Sequence, residues 1–153
     1  MKSIVRFSVG AIDMSFPPNP IQYPEPSLRV VVADDHQKVL ERARRLLGSE
    51  FQVVAAVGDG LMAVEAVRRL NPDLILLDIE MPNMDGIRAA QEIRRFGSTA
   101  RIVFLTVHEE EDYVAVARKF GDGYVLKSHM ASELIHAIDD ALHGKFFVSH
   151  RNR

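Results

Sequence analysis

Four short apolar runs in this chain each end on residues that can carry charge or donate a hydrogen bond. LRVVVA (28–33) runs into Asp34, Asp35 and His36, and LILL (74–77) runs into Asp78. RIVFL (101–105) leads to Thr106, Val107 and His108, and GYVL (123–126) leads to Lys127 and Ser128. Taken singly, each has an ordinary use. Asp35 could cap a helix starting near His36, and Asp78 could open an Asx-turn before Pro82. Thr106 could cap the next helix or end a strand, and Lys127 could be a surface lysine. Their recurrence at one kind of position argues for a shared location. Two carboxylates about 5 Å apart repel by roughly 3 kcal/mol at an effective dielectric near 20. Three carboxylates with one lysine are therefore short of positive charge. Oxygen donors in a chain without cysteine favour a hard cation, and a few carboxylates plus water suit Mg²⁺. A carboxylate, Mg²⁺, an ammonium and a hydroxyl around one point make a phosphoryl-transfer site. The cations neutralise phosphoryl oxygens, the hydroxyl donates to another, and the carboxylate attacks phosphorus.

Elements that would gather these residues can be read from the spacing. The apolar runs are short and rich in branched residues, as strands buried on both faces are. Phe51 opens a further strand over 51–57. Between the strands lie helical patterns at 36–48, 61–70, 87–95, 109–120 and 132–142. Their inward stripes are Val39, Ala43, Leu46 and Leu47; Ala63, Val64, Val67 and Leu70; Ile87, Ala90 and Ile93; and Leu134, Ile135, Ile138 and Leu142. The helix over 109–120 opens on EEED, where acidic groups suit the helix dipole. Five strands alternating with five helices imply an α/β fold with a doubly wound parallel sheet. Ligands of such sheets bind at the carboxyl ends of the strands.

The rest of the composition excludes more than it selects. With 19 basic and 21 acidic residues the net charge is −2, which gives no prior for nucleic acid. No apolar run is long enough to cross a bilayer. Arg6 and Asp13 break up the apolar N-terminus, so it fits a signal peptide poorly. Five prolines between positions 17 and 26 bar a helix or central strand there. The expected organisation is a flexible Pro-rich extension over 1–27, one domain over 28–147, and a tail over 148–153. Met14 is an alternative start.

The motifs ADDH (33–36), LLDIEMPNMDG (76–86), LTVH (105–108) and GYVLKS (123–128) together resemble the receiver domain of two-component response regulators. The likeness is greatest to the subfamily usually fused to a LuxR-type helix-turn-helix. The resemblance implies a flavodoxin-like sheet of order 2-1-3-4-5. It implies Asp78 as the acceptor of a phosphoryl group from a histidine kinase or phosphotransfer protein. Asp34, Asp35, Asp78 and the backbone carbonyl of Glu80 would hold Mg²⁺. Thr106 and Lys127 would bind phosphoryl oxygens, and Tyr124 would be the aromatic switch that turns inward as Thr106 moves. Glu80, Val107 and His108 would tune the lifetime of the phosphoryl group. The output face would be the fourth helix, fifth strand and fifth helix. A cytoplasmic location, an unidentified output partner and a possible homodimer follow from the same likeness.

Departures from the family pattern are small. Phe120-Gly121 replaces the usual Gly-Ala before the fifth strand, and Val107 is bulkier than the alanine of chemotaxis-type receivers. Neither terminus is long enough for a helix-turn-helix, so no DNA binding by this chain itself is expected. The chain is read as either a stand-alone receiver or a piece of a longer regulator. Two rivals remain. One is a Mg²⁺-dependent phosphohydrolase with a nucleophilic aspartate, suggested by the spacing of Asp78 and Glu80. The other is a receiver-fold binding module that is never phosphorylated.

Overall fold

A computed structural model describes residues 27–149. The expected extension, apart from Ser27, and the basic end at 150–153 lie outside the described residues. The elements run β1 (Leu28–Ala33), α1 (Gln37–Leu47), β2 (Phe51–Val57), α2 (Gly60–Leu70), β3 (Leu74–Asp78) and α3 (Gly86–Arg95). They continue with β4 (Arg101–Thr106), α4 (Glu111–Phe120), β5 (Gly123–Leu126), α5 (Met130–Leu142) and β6 (Phe147–Val148).

All the strands pair in parallel, in the order β2-β1-β3-β4-β5-β6. The expected order 2-1-3-4-5 is therefore present, with a sixth strand added beside β5. That strand has two residues, too few to show an alternating pattern in sequence. The central strand β3 is buried along its whole length, as its unbroken apolar run requires. The helices cover both faces. Val31, Ile75, Leu77, Ile102 and Phe104 face one layer, formed by α2, α3 and α4. Val30, Val32, Leu74, Leu76 and Leu105 face the other, formed by α1 and α5.

Helix boundaries follow their local chemistry. Asp59 caps α2 by accepting from the Met62 N–H at 2.8 Å, and Asp85 caps α3 by accepting from the Arg88 N–H at 2.8 Å. The inward stripes hold with one correction. Ile135, expected inward on α5, is 44% exposed, because α5 rests on the sheet through Met130, Leu134, Ala137, Ile138 and Ala141. Helical period places Ile135 beside Leu134 and Ile138 but cannot say where the buried stripe ends. Helix α4 begins at Glu111, two residues later than expected, and buries only Ala117 fully.

The loop from β3 to α3 is held tightly against the strand end. Gly86 donates its N–H to the Ile79 carbonyl at 2.7 Å, and Asn83 takes a left-handed φ of 68°. Its side-chain amide donates to Asp59 Oδ2 at 3.0 Å, tying the loop to the start of α2. A β-carbon on Gly86 would lie 1.9 Å from the Asp78 carbonyl oxygen, so only glycine lets the loop close this near the strand. Gly86→Ala should cost about 2–4 kcal/mol in urea unfolding. Gly58→Ala, where an added β-carbon meets nothing within 4 Å, should be close to neutral.

Candidate functional site

Strand register brings the expected residues together. Ala33 pairs with Leu77, which sets Asp34 beside Asp78. Asp78 pairs with Leu105, and Thr106 pairs with Leu126, which puts Lys127 one step beyond Thr106. The strand ends border an open cavity of about 510 Å³, lined among others by Asp35, Asp78, Glu80, Thr106, Val107, His108 and Lys127. It lies where the strand order reverses between β1 and β3, the usual binding crevice of an open α/β sheet.

Lys127 is the electrostatic centre. Its Nζ lies 2.7 Å from Asp34 Oδ2 and 3.2 Å from Asp78 Oδ2. The shorter contact is a charge-assisted one to a fully buried oxygen of Asp34. The other Asp34 oxygen accepts from the His36 N–H at 2.8 Å. Asp78 Oδ1 accepts a long 3.4 Å bond from the Glu80 N–H. Burial pulls the Lys127 ammonium down, but its contacts with Asp34 and Asp78 outweigh this and hold it above its ordinary value. Asp78 is pushed up from 3.8 to about 6, chiefly by burial and then by the Asp34 charge, against the opposing pull of Lys127.

The donor set fits a hard divalent cation. Ligand atoms of Asp34, Asp35, His36 and Asp78 all lie within 4.8 Å of one another. A carboxyl pushed toward neutrality by burial and by a neighbouring carboxylate is what a cluster short of positive charge should show. His36, named at the same strand end but not among the expected metal ligands, also stands in this group. Its Nδ1 lies 3.1 Å from Asp35 Oδ1 and 3.2 Å from Asp34 Oδ1. Its place directly after the aspartate pair was the available signal.

The remaining expected residues form a second shell of contacts. Thr106 is buried and its Oγ1 accepts from the His108 N–H at 3.0 Å. Val107 is 67% exposed at the rim. His108 Nε2 lies 2.6 Å from Glu80 Oε1, so the two side chains bridge the mouth of the cavity. The His108 ring stacks on Tyr113 of α4 at 4.2 Å between centroids, a partner that nothing in the sequence marks. Tyr124 does not reach the cavity. It is buried behind it, with its hydroxyl donating to the His108 carbonyl at 2.7 Å.

A sign follows for stability. The native state keeps a proton on Asp78 that the unfolded chain has already released, so metal-free stability should fall as pH rises from 3.8 to about 6. Asp78→Asn removes the buried charge and should raise the metal-free melting temperature at pH 7 by about 3–8 °C. Mg²⁺ should stabilise the wild type and have a much smaller effect on this variant. Calorimetry with and without chelator measures both.

Comparison with known proteins agrees with this geometry. A family description, the response regulator receiver domain, matches residues 30–139. The chain is 37% identical over 130 residues to the transcriptional regulatory protein DegU of Brevibacillus brevis, covering 83% of this chain and 55% of that protein. It is 35% identical over 115 residues to the chemotaxis protein CheY of Halobacterium salinarum, covering 74% of this chain and 96% of that one. Among solved structures, a LuxR-family two-component response regulator from Aurantimonas sp. SI85-9A1 matches with a TM-score of 0.74 at 33% identity, over 79% of this chain and 89% of that one. The chain thus spans little more than half the length of DegU and nearly all of CheY. The family match includes every strand end that bears a site residue, and the chain belongs to the response regulator receiver family of two-component signalling, close to its DegU and LuxR-family members.

Proposed function

We propose that this chain is a phosphoacceptor receiver in which Asp78 takes a phosphoryl group from a phosphohistidine of a histidine kinase or phosphotransfer protein. The observation that carries the reading is Lys127 Nζ lying between Asp34 and Asp78 at an open cavity that Thr106 also lines. An Asp78 oxygen forms the new bond to phosphorus as the donor's P–N bond breaks, and the electron pair returns to the donor imidazole. Lys127 meets the charge on one phosphoryl oxygen, and the Thr106 hydroxyl donates to another. Asp34, Asp35, Asp78 and the Glu80 carbonyl would hold Mg²⁺, which supplies the remaining positive charge at the phosphoryl oxygens. The acceptor carboxylate and its donor meet by binding and orientation, so receivers act as signalling modules rather than metabolic enzymes. We place this exchange in the cytoplasm. Among the described residues no helix is long and apolar enough to cross a membrane.

The output follows from the same contacts. A Thr106 hydroxyl drawn toward the phosphoryl group would release or redirect its bond with the His108 N–H. His108 in turn receives the Tyr124 hydroxyl and stacks on α4. The surface of α4, β5 and α5 would then shift between two populations, and a partner protein would read the difference.

Incubation with Mg²⁺ and acetyl phosphate should add one phosphoryl group by intact mass, and Asp78→Asn should gain none. Labelling elsewhere, or none in the wild type, sinks the reading. Steady turnover of generic phosphate esters would instead favour a phosphohydrolase. The Glu80–His108 bridge lies at the mouth of the cavity. Glu80→Ala and His108→Ala should each shorten the half-life of the phosphorylated form several-fold, measured by loss of the added mass after donor removal. Unchanged half-lives would remove the bridge from the mechanism.

A further inference from the structure

The chemistry proposed at Asp78 makes no use of β6, yet β6 lies on the face assigned to output. Phe147 and Val148 pair with Gly123 and Tyr124, so β5 is not the edge of the sheet. Ser149 follows and is buried. Its N–H donates to the Tyr124 carbonyl at 2.9 Å, and its hydroxyl accepts from the Leu126 N–H at 2.9 Å. The same hydroxyl donates to Glu133 Oε2 on α5. One serine therefore grips β5 on either side of Val125, next to Lys127, and ties the grip to α5. Phe146 lies beneath the Arg118 guanidinium of α4, 4.5 Å from its centroid, and Phe147 packs on His136 of α5.

This clasp bears on the tyrosine. Tyr124 and Val148 are register partners in a parallel pair, so their side chains leave the sheet on the same face. The Tyr124 ring is turned inward, with its hydroxyl on the His108 carbonyl. A cavity of about 370 Å³ remains outside it, bordered by Val114, Ala115 and Arg118 of α4 and by Tyr124, Val148 and Ser149. An outward ring would enter that space against Val148. The Ser149 N–H bond to the Tyr124 carbonyl and the Val148 wall of this space therefore link the seating of β6 to the placement of Tyr124.

We propose that β6 is a working part of the switch, and that Ser149 is a positioning residue that holds Tyr124 inward and the strand end before Lys127 in place. Occupancy of the Asp78 site and seating of the C-terminal strand are then coupled. The proposal rests on Asp78 being the phosphoacceptor. Coupling of this kind is reciprocal: what the site gains from a seated strand, the strand gains from an occupied site.

The test uses the full chain with Mg²⁺ and beryllofluoride as the phosphoryl mimic, followed by NMR. In the wild type, hydrogen exchange at the Ser149 amide should slow about tenfold on saturation, and Ser149→Ala should bind beryllofluoride about 5- to 10-fold more weakly. The amide of a serine that only stabilises the fold would slow no more than core amides that exchange by global unfolding, which any native-state ligand protects, so the slowing at residue 149 is read relative to theirs. Exchange unchanged at saturation overturns the proposal, as does wild-type affinity in a folded Ser149→Ala. The exchange measurement needs no variant and decides the matter if Ser149→Ala does not fold. A wild type that neither binds beryllofluoride nor gains phosphoryl mass overturns the phosphoacceptor reading and this proposal with it. That outcome is distinct from a ligand that binds without touching β6.

Discussion

A shortage of positive charge at one edge of the sheet governs this molecule. Asp34 and Asp78 are buried side by side because their strands are neighbours, and Lys127 is the cation that reaches both. One ammonium between two carboxylates, with Asp35 and His36 close by, leaves the cluster unbalanced. The apolar strands beneath give it no relief, since β3 is closed off from solvent along its length. A stable core and an unsatisfied polar edge are thus built from the same residues. Burial that contributes to folding along Leu74–Asp78 also raises the cost of the charge at its end.

A chain of hydrogen bonds begins one step behind that edge. Thr106 accepts from His108, His108 accepts from Tyr124, and Tyr124 gives its carbonyl to Ser149. Each link joins a different element, from β4 through its following loop to β5 and then to the chain's last described residues. His108 is the branching point, because its ring also meets Glu80 at the cavity mouth and Tyr113 on α4. In the proposed reading this contiguous path is the physical route for coupling, with Tyr124 as its movable part.

Much of this was legible in the sequence because the signals are local or repeated. Buried parallel strands write themselves as apolar runs, and a polar residue at each carboxyl end maps to one edge once the sheet is doubly wound. Asp34, Asp78, Thr106 and Lys127 were found this way. What escaped depends on contacts distant in sequence. Tyr113 meets His108 only because α4 folds back over its own preceding loop. Ser149 and Glu133 meet only because a two-residue strand returns to β5. Ile135 was misplaced because helical period locates a stripe and not its width.

Helix α4 adds one more property. It buries Ala117 alone, whereas α5 buries five residues. Its other core contacts, through Tyr113, Val114 and Phe120, are only partly buried, so α4 is held less deeply than α5. The sheet and α5 form a deeply buried frame, and the shallower α4 carries Tyr113 at one end and Arg118 near the other. In the proposed reading, shallow burial confined to that strip would let a change at the charged edge become a change of shape at the surface without endangering the fold.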